Sequence, residues 1–250
     1  MRTAGDVAPL ELRIDAKNYP LADGTSLEVV RGLKLHLDAG SFGALIGPSG
    51  CGKTTILKIA AGLDRDFQGA VQRPGGGRLG MVFQEPRLLP WRTVEENIRL
   101  VLSVHEANAD LRGLFDILGL GSHLDRYPGE LSLGLERRVA IARAFAIRPD
   151  FLLLDEPFVS LDAAVADRLR DELAALTTRT RITTLFVTHD LAEAIRLADR
   201  LFFLADRPTH VILERELPAP RGSRSKELIA AIGDDMREQL AHTAIDAAKD

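Results

Sequence analysis

Gly47-Pro48-Ser49-Gly50-Cys51-Gly52-Lys53-Thr54-Thr55 is the stretch that decides how the rest of the chain is read. A glycine, four intervening residues and then Gly-Lys-Thr is the spacing of a loop that wraps phosphate groups. Glycines let the backbone curl tightly enough for successive N–H groups to converge on phosphate oxygens. Lys53 adds a charge that can reach β- and γ-phosphates, and the Thr54 hydroxyl is of the kind that ligates Mg²⁺. The flanks agree with this reading. Gly43-Ala44-Leu45-Ile46 has the make-up of a short buried strand, and Thr54 to Ala61 that of a helix closed by Gly62. Such a helix aims its positive end at the phosphates. A glycine-rich turn with a coincidental lysine has no reason to sit between a strand and a helix, so the ligand expected is a nucleoside triphosphate.

Composition narrows the class. Hydrophobic residues make up 46% and charged residues 27% of the 250, which is the balance of a soluble globular chain. No apolar run approaches the roughly 20 residues of a membrane span. Met1-Arg2-Thr3-Ala4-Gly5-Asp6 has no apolar core of a leader peptide, so a cytoplasmic compartment is expected. A net charge of −4 argues against nucleic acid as a partner. Cys51 is the single cysteine, which excludes an internal disulfide and a cysteine-based metal cluster; within the loop it reads as a small, unreactive spacer.

Periodicity divides the chain. Residues 10–42 alternate polar and apolar, as in Leu10-Glu11-Leu12-Arg13-Ile14 and Leu33-Lys34-Leu35-His36-Leu37, predicting an antiparallel sheet with one wet face. Pro74-Gly75-Gly76-Gly77 is expected to join two strands ahead of Leu79-Gly80-Met81-Val82-Phe83. From about Thr93 to Ile147 the pattern is helical, with segments near 93–105, 109–118 and 135–147. Buried strands return at Phe151–Leu154 and Thr184–Thr188, separated by a helix over about 163–176, which is a βαβ unit and implies a parallel sheet. The fold class is therefore α/β, a phosphate-loop nucleotide-binding core with a parallel sheet. It carries an N-terminal antiparallel β subdomain and a helical subdomain inserted at about 87–148. The core domain is expected over 1–220. Leu217-Pro218-Ala219-Pro220-Arg221-Gly222 reads as a linker into a helical tail over 221–250, with Leu228, Ile232, Met236 and Leu240 on one stripe.

A second element restricts the chemistry. Phe151-Leu152-Leu153-Leu154-Asp155-Glu156-Pro157 is an apolar strand ending in two carboxylates. An acid at the carboxyl end of a strand next to a phosphate loop suits Mg²⁺, which falls to Asp155, and Glu156 one residue on can polarise an attacking water. Between the two elements lies Leu131-Ser132-Leu133-Gly134-Leu135-Glu136-Arg137-Arg138. With the phosphate loop, Gln84, the 131–135 segment, Asp155-Glu156, Ser160-Leu161-Asp162 and His189 in this order, the chain resembles the ATP-binding subunits of ABC transporters over nearly its whole length. Phe83-Gln84-Glu85-Pro86-Arg87-Leu88-Leu89-Pro90-Trp91 is similar to the nitrate, taurine and aliphatic sulfonate importers of that family.

The resemblance implies ATP and Mg²⁺ as cofactors and a pair of ATPase subunits closing head to tail on two ATP molecules. It also implies membrane permease subunits as partners, an external solute-binding protein acting indirectly, and a peripheral position on the cytoplasmic face of the membrane. By the same resemblance Gln84 contacts Mg²⁺ or the attacking water, and His189 contacts the γ-phosphate. Ser132 and Gly134 reach the γ-phosphate held by the other subunit, Asp162 couples the two sites, and Tyr19 stacks on adenine. Trp91, with Pro90 and Leu89, either lines a groove for a permease helix or packs in the core. The family's signature is usually Leu-Ser-Gly-Gly-Gln and here reads Leu-Ser-Leu-Gly-Leu. Leu135 stands where importers of the family often carry an apolar residue, whereas Leu133 puts a side chain where a Cβ-free residue lets backbones approach, and Glu136 just beyond adds a negative charge near the partner's ATP. They leave open a weakly active or regulatory ATPase. A soluble ABC ATPase of translation or DNA repair is the other rival, although no second cassette, coiled insertion or cysteine-rich site is visible in the sequence. Lys53→Ala is expected to abolish hydrolysis and weaken ATP binding sharply, because a phosphate-facing charge is lost from a partly desolvated loop; calorimetric titration with MgATP checks this, and equal affinity refutes the loop assignment.

Overall fold

The computed structural model describes residues 8–75 and 77–247. Met1–Asp6, where a leader would begin, and Gly76 of the expected turn lie outside them. Strands β1 (Leu10–Pro20), β2 (Ser26–Leu37) and β3 (Phe42–Ile46) lead into helix α1 (Lys53–Ala61) and strands β4 (Gln68–Gln72) and β5 (Leu79–Val82). Helices α2 (Val94–Arg99), α3 (Arg112–Ile117) and α4 (Leu133–Ala146) precede β6 (Phe151–Asp155) and α5 (Ala163–Thr180). The chain ends with β7 (Thr183–Thr188), α6 (Leu191–Leu197), β8 (Arg200–Leu204), β9 (Val211–Glu216) and α7 (Lys226–Ala247). These elements form two compact units, one from the residues up to Arg73 together with Leu185 onward, the other from Pro74 to Thr184.

In the first unit the period-two segments form the antiparallel sheet that alternation predicts. β1 pairs with β2 from Leu10↔Leu37 to Pro20↔Ser26, and Leu10, Leu12, Ile14, Leu33, Leu35 and Leu37 are all buried. β4 adds to the other edge of β1, a pairing that its exposed, polar sequence does not announce. Gly69 permits it: a Cβ there would lie 2.0 Å from the Arg13 carbonyl oxygen. The unit also holds strands in the order β7-β3-β8-β9, with β3 parallel to β8 and β8 antiparallel to β9. All five β3 residues are buried, so its sequence is a continuous apolar run and not an alternation. Gly62 closes α1 in the left-handed conformation, its N–H donating to the carbonyls of Ile59 and Lys58.

The stretch with linker composition is bound to this unit. Leu217 is buried, and the buried Arg224 guanidinium donates to the carbonyls of Ile195 (2.5 Å) and Ala198 (2.6 Å) at the end of α6, and to Ala219 (2.9 Å). Arg221 pairs with Asp199 at 3.1 Å. Prolines and small residues here hold an irregular backbone whose carbonyls one arginine gathers. In α7, Met236 is fully buried while Leu228 faces water.

In the second unit β5 runs parallel to β6, from Leu79↔Phe151 to Val82↔Leu154. α4 packs on β5 so closely that a Cβ on Gly80 would meet the Ala144 carbonyl at 2.8 Å. The helix expected over 93–105 stops at Arg99, and Leu100, Val101 and Val104, which carry its apolar pattern on, are exposed. A Thr93–Glu96 capping box opens α2. The fully buried Asn97 accepts from Leu89 N–H (2.8 Å) and donates to the carbonyls of Leu89, Arg92 and Thr93 at 3.0–3.1 Å. One amide thus shapes the loop before α2. Asn97→Ala strips these four bonds, and although the Leu89 and Thr93 carbonyls keep the N–H groups of Arg92 and Asn97, Leu89 N–H and the Arg92 carbonyl lose their bonds to the amide. The unfolding free energy in urea is expected to fall by about 2–3 kcal/mol.

Candidate functional site

The phosphate loop spans the six residues between β3 and α1, and its shape depends on its glycines. Gly50 has φ 80° and Gly52 has φ 123°, both in the left-handed region. A Cβ on Gly47 would lie 3.1 Å from both Cys51 Sγ and Leu204 Cβ, and one on Gly52 would lie 2.8 Å from Val29. Lys53, 5% exposed, is the first residue of α1, and its Nζ donates to the carbonyls of Gly47 (2.8 Å) and Pro48 (2.7 Å). The ammonium is therefore held inside the loop's curl. Pro48, Ser49 and Thr54 are exposed on the loop and first helical turn, and Thr55 is half-buried behind them. Burial pushes the Cys51 thiol above its ordinary value, against the pull of Lys53, which fits the unreactive role read for it.

His189 follows β7 directly and is exposed. Its neighbours fix its backbone: Asp190 caps α6 by accepting from Glu193 N–H (3.1 Å), and Thr188 Oγ1 donates to Glu193 Oε2 (2.5 Å) while accepting from Asp190 N–H (3.0 Å). Motif reading did not find Thr188 or Glu193, because that network closes only when strand and helix meet. Tyr19, half-buried at the end of β1, donates its hydroxyl to Asp64 (2.9 Å), and Lys17 Nζ lies 4.5 Å from its ring centroid. Lys17 also bonds Asp64 at 3.0 Å. Burial disfavours the Asp64 charge, but Lys17 and Tyr19 hold its carboxyl below the ordinary value.

In the second unit the register of β5 on β6 brings three candidates to one strand end. Asp155, 4% exposed, is the last residue of β6; Glu156 follows it in the left-handed region, with φ 45°; Gln84 lies exposed two residues beyond β5. Val82 pairs with Leu154, so Gln84 and Glu156 leave the sheet at the same level. Two arginines of α4 hold the adjoining backbone. Arg143 donates to the carbonyls of Pro86 (2.7 Å) and Arg87 (2.9 Å), shaping the segment after Gln84. Arg137, buried, reaches the Glu156 carbonyl at 3.5 Å, and its Nε has no partner. Desolvation lowers the pKa of both arginines, which remain charged.

Ser132 caps α4, accepting from Leu135 N–H at 3.4 Å, and Asp162 caps α5, accepting from Val165 N–H at 3.0 Å. The two caps are neighbours, since a Cβ on Gly134 would lie 2.8 Å from Val165 Cγ1. Leu133 is 40% exposed, so it does not fill a pocket of its own lobe. Burial raises the Glu136 carboxyl, with Arg137 opposing. Trp91 is 70% exposed, which settles its two readings against the core.

Residues 30–159 match the family described as ABC transporter. The chain is 44% identical over 229 residues to the aliphatic sulfonates import ATP-binding protein 1 of Pseudomonas aeruginosa, covering 86% of this chain and 92% of that protein. It is 41% identical over 222 residues to the bicarbonate transport ATP-binding protein of Synechocystis, covering 82% of this chain and 33% of that one. A solved dimeric ATP-binding cassette in a post-hydrolysis state, bound to ADP and Pi, superposes with a TM-score of 0.71 at 26% identity, over 84% of this chain and 100% of that one.

Proposed function

The chain belongs to the ABC transporter family, and from that premise we propose how its residues divide the work of an ATP-driven import subunit. It is an ATP-binding and ATP-hydrolysing subunit that energises import through membrane permease subunits, paired with a second ATPase subunit. The reaction is phosphoryl transfer to water, in which positioning and charge neutralisation supply most of the catalysis. The loop amides from Gly47 to Thr55 and Lys53 take the charge of the β- and γ-phosphates. Glu156 orients and deprotonates the water, Gln84 touches it and signals nucleotide state to the permease, and His189 holds the γ-phosphate. Ser132 and Gly134 bind the γ-phosphate of the partner's nucleotide, Asp162 couples the two sites, and the free surface of the Tyr19 ring stacks on adenine. The observation that carries these assignments is the β5–β6 register, which leaves Gln84, Asp155 and Glu156 at one strand end.

Thr54, Gln84 and Asp155 offer oxygen donors of the kind Mg²⁺ prefers, and Asp155, buried at its strand end, is the carboxylate best suited to hold it. Bound there, Mg²⁺ would neutralise charge on the β- and γ-oxygens. Closure of two subunits on ATP and reopening after hydrolysis would then drive the permease, since ATP binds the closed state better. Exposed apolar residues on both sides of α2, Trp91 before it and Leu100, Val101 and Val104 after it, support this lobe as the permease contact. Among the described residues no helix is long and apolar enough to cross a membrane, in keeping with a peripheral subunit on the cytoplasmic face.

The imported solute is a small anion of the sulfonate, taurine, nitrate or bicarbonate type, a reading supported by the names of the two relatives. ATPase activity of the complex reconstituted with permease and binding protein tests it: stimulation by one of these anions is expected, and stimulation only by lipids or metals overturns it. Glu156→Gln is expected to keep ATP binding while slowing turnover about a hundredfold or more, and to accumulate as an ATP-bound dimer seen by sizing. Turnover at the parent rate removes Glu156 from its role. Leu133→Gly is expected to raise turnover, because the side chain stands exposed where the partner's nucleotide must approach and a misplacement of about 1 Å costs roughly a hundredfold. Melting temperature and turnover measured together check it; a destabilised, slower variant overturns the obstruction.

A further inference from the structure

The connection between β8 and β9, residues 205–210, matches no motif, yet it forms the outer wall of the phosphate loop. Thr209, fully buried, donates its hydroxyl to the Cys51 carbonyl, and Arg207 Nε donates to the Gly50 carbonyl at 2.7 Å. Thr209 is itself fastened to β2: its N–H donates to the Val29 carbonyl (2.8 Å), and its carbonyl accepts from Arg31 N–H (3.1 Å). The same wall confines all three loop glycines that precede Lys53. Leu204 lies against Gly47, Arg207 against Gly50, and Val29 with Thr209 against Gly52.

A trans peptide points its C=O and its N–H in opposite directions. The Gly50 carbonyl shares a peptide with Cys51 N–H, and the Cys51 carbonyl with Gly52 N–H. Anchoring those two oxygens outward turns both N–H groups inward. Cys51 N–H indeed faces the Pro48 carbonyl (3.4 Å), the oxygen that Lys53 Nζ also binds. We propose that Thr209 and Arg207 are positioning residues of the phosphate loop, acting through the Cys51 and Gly50 carbonyls to aim the Cys51 and Gly52 amides at the bound triphosphate. This rests on the nucleotide-binding reading and adds to it the outer half of the cradle.

Three variants test the proposal: Thr209→Val, which keeps shape and loses the hydroxyl, Thr209→Ser, which restores it, and Arg207→Met, at an exposed position. Each is titrated with ATP and with inorganic triphosphate, and its single thiol, the buried Cys51, is timed against N-ethylmaleimide in native buffer. Thr209→Val is expected to bind both ligands about tenfold more weakly, the value of one lost hydrogen bond, with equal losses because the defect lies at the phosphates. Cys51 should react several times faster, and Thr209→Ser should return to within about twofold of the parent on both measures. Arg207→Met should shift both in the same direction by a few fold, and it decides the matter if Thr209→Val does not fold. Parent-like affinity and parent-like thiol reactivity in Thr209→Val and Arg207→Met overturn the proposal, as does a Thr209→Ser protein as impaired as Thr209→Val. Should the parent and Lys53→Ala bind ATP equally poorly, the nucleotide reading fails, while the Cys51 rates still report whether the wall holds the loop.

Discussion

A peptide group cannot turn its N–H inward without turning its carbonyl outward, and a buried carbonyl needs a donor. The phosphate loop meets this constraint on both sides. Inward, Lys53 Nζ takes the carbonyls of Gly47 and Pro48; outward, Arg207 and Thr209 take those of Gly50 and Cys51. The left-handed glycines are the conformational half of the same solution, since Gly50 and Gly52 curl where a side chain would be strained, and at Gly52 it would also strike Val29. Much of the first unit follows from supplying those donors: β3 and α1 fix the two ends of the loop, β8 leads into its wall, and β2 fastens that wall at Val29 and Arg31.

The second unit solves a different problem, that of holding carboxylates and an amide at the end of an apolar strand. β6 is buried along its whole length, so its polar chemistry can begin only where the sheet stops, at Asp155 and Glu156. The parallel register with β5 delivers Gln84 to the same level without any direct contact being required. α4 then governs what lies beyond the strands. Its N-terminus carries Ser132, its middle sends Arg137 to the Glu156 carbonyl, and Arg143 gathers the backbone after Gln84. A single helix therefore ties the Ser132 cap to the backbone of Glu156 and to that of the segment after Gln84.

Lys53 and Asp155 are buried, whereas Trp91, Leu100, Val101 and Val104 present apolar area to water around α2. Asn97 shapes the part of this segment before α2 by bonding backbone groups of Leu89, Arg92 and Thr93. Leu133 is exposed in the same way at the start of α4.

Elements whose signal is local were legible in the sequence. The loop, the strand before it and the helix after it depend on residues adjacent in the chain, and the 10–37 alternation needs only a sheet with one wet face. The Asp155-Glu156 pair is likewise visible because a buried strand announces its own end. The sequence did not show β4 beside β1, since an exposed polar strand carries no periodic signal and its place is set by the close approach at Gly69. Nor did it show that residues 217–224 are bound: their composition is that of a linker, and they are held by the burial of Leu217, by Arg221 on Asp199 and by Arg224 at the end of α6. Whether Trp91 lay inside or outside could not be read from its neighbours in the chain; the fold leaves it 70% exposed. Arg137, Arg143, Arg207 and Thr209 act through backbone groups of other segments. A backbone carbonyl leaves no mark on composition or spacing, so their roles came into existence only when the chain had folded.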